Sequence, residues 1–166
     1  MKQINNMKYL EIRIIVLLLV TALISVSCGK NINCDNDCFT PPGPITFRVM
    51  NDSIDLLYTG YYDEDSITLY YMDGDSKIDT EISIFNDTVL EIGIIHSNVI
   101  TWKSVEGYRD FYLRLNSTEI DEIYLVVQSL TQDCCTFHPI MDIEINGDQP
   151  AFNTLSNSFI IEKKVN

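Results

Sequence analysis

Short runs of β-branched and aromatic residues with a period of two dominate the chain after Pro44. The run from Ile78 to Phe85 is the clearest, because branched side chains there alternate with Asp79 and Glu81. Such alternation predicts one buried face and one solvated face. No segment keeps an apolar helical stripe through two full turns. We therefore predict strands rather than helices.

Eight strands follow from this pattern. They are Ile45–Asn51, Ser66–Met72, Ile78–Phe85, Val89–Ile95, Phe111–Leu115, Glu122–Leu130, Ile140–Ile145 and Phe159–Lys163. Turn residues separate them at Asp73-Gly74, Asn86-Asp87, Glu106-Gly107 and Asn146-Gly147. Closely spaced strands without intervening helices predict an all-β domain over residues 45–166, an antiparallel β-sandwich of the immunoglobulin-like or transthyretin-like kind.

The first 27 residues differ from the rest of the chain. Basic residues, among them Lys2 and Arg13, precede the eleven-residue apolar run Ile14–Ile24. This run falls within the roughly 7 to 15 residues of a signal-peptide core and is shorter than the roughly 20 that span a bilayer. Residues 1–27 are therefore predicted to be a cleaved export signal.

The segment Ser25–Cys28 resembles the lipobox of bacterial lipoproteins, with small residues before a cysteine. The resemblance implies that the Cys28 thiol carries a diacylglyceryl group, that cleavage occurs just before it, and that the new amine is acylated. Two alternatives stay open. Ser25 and Ser27 also satisfy the small-x-small rule of ordinary secretory cleavage, and the segment could remain as an uncleaved anchor.

The charge of the chain argues against nucleic acid as a partner. The 166 residues contain 24 acidic and 11 basic side chains, for a formal net charge of -13. Removing residues 1–27 takes away three basic residues and one acidic residue, which makes the mature chain more negative still, at -15. Phosphate backbones are bound through Lys and Arg, so such a chain repels them.

Five cysteines are an odd number for an exported protein. If Cys28 is lipidated, the other four, Cys34, Cys38, Cys134 and Cys135, are predicted to form disulfides in an oxidising compartment. Local bridges would strain a vicinal peptide or close a very small loop. Pairing between the early and the late cysteines is therefore favoured over two local bridges, and its order stays open.

The same cysteines allow two other kinds of site. Cys34, Cys38, either Cys134 or Cys135, and His138 offer enough soft ligands for zinc, although their spacing matches no standard finger. A nucleophile built from Cys135 and His138 would lack an orienting group and an oxyanion hole. We predict neither a catalytic residue nor a cofactor.

Carboxylates are concentrated on two predicted loops that flank one strand. The weak calcium candidates among them are Asp63, Asp65, Asp73, Asp75 and Asp79. The EF-hand pattern fails here, because Ile78 occupies the required glycine position and no Glu closes the loop. Solvated hairpin loops are the interpretation that the pattern favours, and we predict no metal site.

Five of the nine tyrosines lie close together in the sequence, at Tyr58, Tyr61, Tyr62, Tyr70 and Tyr71. Exposed rings beside carboxylates are typical of sugar-binding surfaces. The alternative is that these are ordinary core and rim tyrosines. Tyr70 and Tyr71 must point to opposite faces of a strand, so one of them belongs to the core.

Three Asp-Ser/Thr-aliphatic triplets contain Ser53, Ser66 and Thr88. They resemble the acceptor triplet of general O-glycosylation in Bacteroidota. Each lies near a predicted turn or strand end, where an enzyme can reach it. The resemblance implies candidate O-glycosylation at these three hydroxyls.

Residues 28–44 are predicted to be a lipid anchor and Pro-rich tether. Acidic residues after Cys28 resemble the surface-export signal of Bacteroidota lipoproteins. In layout, the chain resembles small uncharacterised envelope lipoproteins of Bacteroidota. That resemblance implies anchoring in the bacterial outer membrane, with the periplasmic and the surface leaflet both open, but no known activity. We expect a non-enzymatic protein that binds a glycan or a protein partner; the alternative is a structural subunit of an envelope or surface assembly.

Overall fold

The structure, a computed structural model, describes residues 38–165. Its strands are β1 (Cys38–Phe39), β2 (Ile45–Asn51), β3 (Ile54–Asp55), β4 (Thr68–Asp73), β5 (Ser76–Thr80), β6 (Ser83–Asp87), β7 (Ile92–Ser97), β8 (Asp110–Arg114), β9 (Ile120–Val127), β10 (Leu130–Gln132), β11 (Cys135–Phe137), β12 (Ile140–Ile145), β13 (Phe152–Asn153) and β14 (Ser158–Glu162). An α-helix, α1 (Val99–Glu106), and a single 3-10 turn, Glu64–Ser66, complete the elements.

The strands form two large sheets and one small one. The first large sheet has the order β12-β9-β8-β4-β5, and the second has the order β13-β14-β2-β7-β6 with β3 paired to the end of β2. The small sheet has the order β1-β11-β10. Most neighbours are antiparallel, whereas β14 and β2 run parallel, as do β1 and β11.

The core lies between the inner faces of the two large sheets. Phe47 and Ile95 contribute from the six-stranded sheet, while Leu69, Phe111 and Leu125 contribute from the five-stranded one. All five are completely buried. The prediction of an all-β sandwich is therefore confirmed.

The predicted strand Ile78–Phe85 is wrong in one respect. Its first part belongs to β5 at the edge of the five-stranded sheet, and its second part belongs to β6 at the edge of the other sheet. The chain crosses between the sheets at residues 81–82. Alternation of side chains continues through this crossing, so a period of two cannot reveal it.

The prediction that the domain has no helix is also wrong. Helix α1 follows β7 directly and buries Ile100 and Ser104. The predicted turn at Glu106-Gly107 is in fact the end of this helix, where Gly107 adopts a left-handed conformation with φ of 114°. Eight residues are too few to display an apolar stripe in the sequence.

Two of the predicted turns are confirmed. Gly74 lies between Asp73 and Ser76, which pair across the hairpin of β4 and β5. Residues 146–147 both have positive φ and reverse the chain, with a hydrogen bond of 2.8 Å from Ile145 N to Asp148 O. The predicted turn at residues 86–87 is wrong, because these residues end β6 and the chain turns after them.

A disulfide joins the small sheet to the start of the domain. Cys38 is bonded to Cys135, which lies 97 residues further along the chain, and Cys134 is also disulfide-bonded. The predicted pairing of an early with a late cysteine is confirmed for Cys38, and Cys34 lies outside the described residues. The end of the predicted tether, 28–44, packs on the domain, since Thr40 N donates to Thr136 O at 2.8 Å and Pro42 is buried.

Candidate functional site

The outer face of the five-stranded sheet carries a row of tyrosines. Side chains along β9 alternate between exposed and buried, so Tyr124 points outward while Leu125 joins the core. Tyr112 on β8 and Tyr70 on β4 share this outer face, as the strand register shows. We call Tyr70, Tyr112 and Tyr124 the tyrosine face.

The tyrosine face is open at one end and covered at the other. Tyr70 and Tyr112 are direct cross-strand partners whose rings stack with centroids 5.1 Å apart. Lys77 Nζ lies 4.4 Å from the Tyr70 ring centroid, and this ring is only 9% exposed. Tyr124 is 37% exposed, so a ligand would have access at the end formed by Tyr112 and Tyr124.

Carboxylates surround the open end. Asp110 and Glu144 lie directly opposite Tyr124 on its two neighbouring strands, and Glu122 lies opposite Tyr112. These five side chains contribute to the lining of a depression of about 250 Å³. The register of β8, β9 and β12 thus brings together residues that are more than thirty positions apart in the sequence.

These carboxylates have no cationic partner among residues 38–165, where the salt bridges are Arg48–Asp55, Lys77–Asp79, Lys103–Glu106 and Lys163–Asp121. Each of these carboxylates lies opposite a tyrosine, so Asp110 and Glu144 are diagonal rather than direct neighbours of Glu122. Chemically, the rings offer a surface for stacking and the carboxylates offer acceptors for hydroxyl or amino groups.

A second group of aromatic side chains lies beside the small sheet. We call Phe39, Trp102 and His138 the ring cluster. The centroid of Phe39 lies 6.1 Å from that of Trp102 and 5.3 Å from that of His138, and the Trp102 and His138 rings are 5.9 Å apart. Phe39 is 60% exposed and Trp102 is 39% exposed, so the three rings form a contiguous aromatic surface.

No protein-family model, curated protein or solved structure matches the chain. Within residues 38–165, no helix has both the length and the apolar character needed to cross a bilayer. The predicted signal peptide, the lipidation site Cys28 and most of the tether lie outside the described residues.

The calcium candidates do not come together. In the described range no group of three or more His, Cys, Asp or Glu side chains is placed to hold a metal ion. Asp79 instead pairs with Lys77 at 2.7 Å, and Asp63 Oδ1 accepts a hydrogen bond from Asp65 N at 3.2 Å. Asp73 and Asp75 belong to the exposed hairpin between β4 and β5.

The five clustered tyrosines do not form one platform. Tyr71 packs in the core, while Tyr70 faces the opposite side of the same strand. Tyr62 is also buried, and its hydroxyl donates to Glu119 Oε2 at 2.5 Å. Burial, reinforced by this hydrogen bond and the nearby negative charge, raises the pKa of Tyr62. Only Tyr61 among them is well exposed, so ordinary core and rim roles describe the group.

The disulfide excludes the two alternative uses of the cysteines. Bonded sulfurs at Cys38 and Cys135 are not thiolates, so they neither ligate zinc nor attack a substrate. His138 Nδ1 donates a hydrogen bond to Thr40 O at 2.8 Å. The ring therefore belongs to the ring cluster rather than to a Cys/His pair.

The three candidate O-glycosylation sites differ in accessibility. Ser53 and Thr88 lie on exposed loops. The Ser66 hydroxyl is partly buried, with Asp63 O at 2.7 Å and Leu115 O at 2.8 Å as acceptors. A glycosyltransferase would reach Ser53 and Thr88 more readily than Ser66.

The second large sheet carries an exposed apolar patch. Val89 and Leu90 follow β6, and Leu155 lies in the loop between β13 and β14; they are 88%, 61% and 94% exposed. Leu90 and Leu155 line a groove of about 250 Å³ over the buried side chains of Arg48 and Ile92. The patch is available for contact with another protein surface.

The sequence contained a signal for part of these surfaces. Tyr112 and Tyr124 occupy solvent-facing positions of predicted strands, but they are ten or more residues apart and form no cluster in the sequence. Phe39 and His138 lie within three residues of Cys38 and Cys135, so the disulfide predicts their proximity. Nothing in the sequence indicates Trp102, because its helix was not predicted.

Proposed function

We propose that the protein is a lipid-anchored, non-enzymatic envelope protein of the bacterial outer membrane that binds a glycan through the tyrosine face. The observation that carries this proposal is the placement of Asp110, Glu122 and Glu144 around the exposed Tyr124 ring without cationic partners among the described residues. The proposed anchor at Cys28 would hold the acidic domain outside the bilayer.

A glycan has an apolar face and hydroxyl groups, and both match this surface. The apolar face of a pyranose ring stacks on an aromatic ring, and its hydroxyl groups donate to carboxylates. Tyr124 supplies the ring, while Asp110 and Glu144 lie on either side of it at cross-strand spacing. The β-sheet backbone holds these groups in fixed positions, so little conformational entropy is lost on binding.

The cysteine and histidine that a nucleophilic mechanism would require are engaged elsewhere, which supports binding rather than catalysis. Cys135 is disulfide-bonded, and His138 Nδ1 donates to the backbone carbonyl of Thr40 rather than contacting a nucleophile. We therefore propose recognition without turnover.

Replacing Tyr124 with alanine is expected to weaken glycan binding about tenfold, because the exposed stacking ring is lost. A glycan array would identify a ligand for the full-length protein, and isothermal titration calorimetry would then compare the Kd of the variant with that of the parent. Tyr61→Ala is the matched control, since Tyr61 is 52% exposed but lies in the segment between β3 and β4 rather than on an outer-face strand position. An array without any bound glycan, or equal losses in both variants, contradicts the proposal.

Intact mass spectrometry of the protein purified from membranes is expected to show a chain that begins at Cys28 and carries acyl groups. The same spectra would reveal glycans on Ser53 or Thr88. A chain with a free, unacylated N-terminus contradicts the anchor. Native-size measurement of the same extract tests the structural-subunit alternative, which the exposed apolar patch of Val89, Leu90 and Leu155 favours: a stable multimer supports it and a monomer opposes it.

A further inference from the structure

The ring cluster takes no part in the proposed binding at the tyrosine face. We infer that Phe39, Trp102 and His138 form a second, independent binding site that takes a neutral pyranose ring. The three rings are in mutual contact and remain exposed, although large aromatic side chains are normally withdrawn from water. An exposed aromatic surface of this size is suited to stacking against the apolar face of a sugar.

His138 adds a directed polar group to this surface. Its Nδ1 lies 2.8 Å from Thr40 O, and a carbonyl oxygen can only accept. Nδ1 therefore carries the proton, which leaves Nε2 of the neutral ring as an acceptor. A hydroxyl group of a sugar stacked on Phe39 or Trp102 is a suitable donor for this nitrogen.

The segments that carry Phe39 and His138 favour a neutral ligand. Apart from His138 itself, neither 38–47 nor 134–141 contains an acidic or basic residue, in a chain with a formal net charge of -13. Lys103, next to Trp102, is paired with Glu106 at 2.7 Å. A phosphate, carboxylate or amine would lose hydration here without gaining an opposite charge, whereas a neutral sugar loses much less.

The backbone and the disulfide hold the cluster together. Phe39 directly follows Cys38, and β1 pairs with β11 so that Phe39 lies opposite Thr136. The Cys38–Cys135 bond fixes this pairing next to His138. The rings are therefore positioned before a ligand arrives, which favours binding.

Tryptophan fluorescence reads this site directly, because Trp102 is the single tryptophan of the chain. The full-length protein, in a detergent without a sugar head group, would be titrated with cellohexaose, laminarihexaose and mannohexaose. At least one of these neutral oligosaccharides is expected to cause a saturable change in emission. Hexagalacturonate and the glucosamine hexamer, which carry charge, are expected to cause none at the same concentrations.

Variants separate this site from the tyrosine face. Phe39→Ala and His138→Ala are each expected to weaken the fluorescence titration at least fivefold, whereas His138→Gln, whose amide oxygen still accepts, should lose less. Tyr124→Ala should leave the titration unchanged. Circular dichroism and a urea midpoint would verify that each variant is folded.

Three results would overturn the inference: no neutral oligosaccharide alters Trp102 emission, the charged oligosaccharides act equally well, or folded His138→Ala and Phe39→Ala variants bind like the parent. Loss of the fluorescence response in Tyr124→Ala would also overturn it, because the two sites would then not be independent. Failure of glycan binding at the tyrosine face, by contrast, leaves the ring-cluster titration unaffected.

Discussion

Replacing Asp55 with alanine is expected to lower the free energy of unfolding by about 3–5 kcal/mol, because it leaves a buried charge without its partner. Asp55 Oδ2 accepts from Arg48 Nε and Nη2, each at 3.0 Å, and the two side chains are 3% and 10% exposed. Asp55 Oδ1 accepts from the backbone N–H groups of Leu57 and Tyr58 at 3.1 and 3.0 Å. Alanine removes all of these acceptors at once.

Two further variants test the cause of this loss. Asp55→Asn keeps an oxygen for the two backbone N–H groups but loses the charge. Its loss of stability should therefore lie between those of Asp55→Ala and Asp79→Ala. Asp79→Ala breaks the exposed Lys77–Asp79 pair, whose side chains are 37% and 63% exposed, and should cost less than about 1 kcal/mol. Urea unfolding followed by circular dichroism gives the three values. Equal losses in Asp55→Ala and Asp79→Ala would contradict the buried-charge account.

Two predicted strands agree best with the structure. The bounds of Ile45–Asn51 and Ile140–Ile145 agree with the structure at both ends. The run Ile78–Phe85 shows why the rule of alternation fails elsewhere: its alternation continues while the chain passes from one sheet to the other. The local period determines which side chains face inward, whereas sheet membership depends on contacts that are distant in sequence.

The candidate site was harder to predict than the fold for a related reason. Asp110, Tyr124 and Glu144 become neighbours only through the register of three strands, and no spacing within one strand encodes that register. The ring cluster depends on a disulfide and on helix α1, whose eight residues show no apolar stripe. Strand parity separates Tyr70 from Tyr71 on β4. The other three clustered tyrosines, Tyr58, Tyr61 and Tyr62, lie in the segment between β3 and β4.

Removing the disulfide with the paired change Cys38→Ser and Cys135→Ser is expected to lower the free energy of unfolding by about 2–4 kcal/mol. The bond joins residues 97 positions apart, and chain-entropy reasoning gives a ceiling of about 4.7 kcal/mol for a loop near 100 residues. We expect less than the ceiling because Cys134 remains disulfide-bonded in the variant. Urea unfolding of the parent and the double variant, both without reductant, measures the difference.

Because the disulfide lies at the β1–β11 edge, we expect its loss to affect the ring cluster more than the tyrosine face. At urea concentrations where the double variant is still folded, the ring cluster should lose its sugar-dependent fluorescence change. The reason is that β1 is no longer fixed beside His138. Glycan binding at the tyrosine face should persist, since Tyr124 is supported by β8 and β12 rather than by the small sheet. An unchanged urea midpoint would show that the disulfide contributes no stability, and equal loss at both surfaces would show that it supports the whole sandwich rather than its β1–β11 edge.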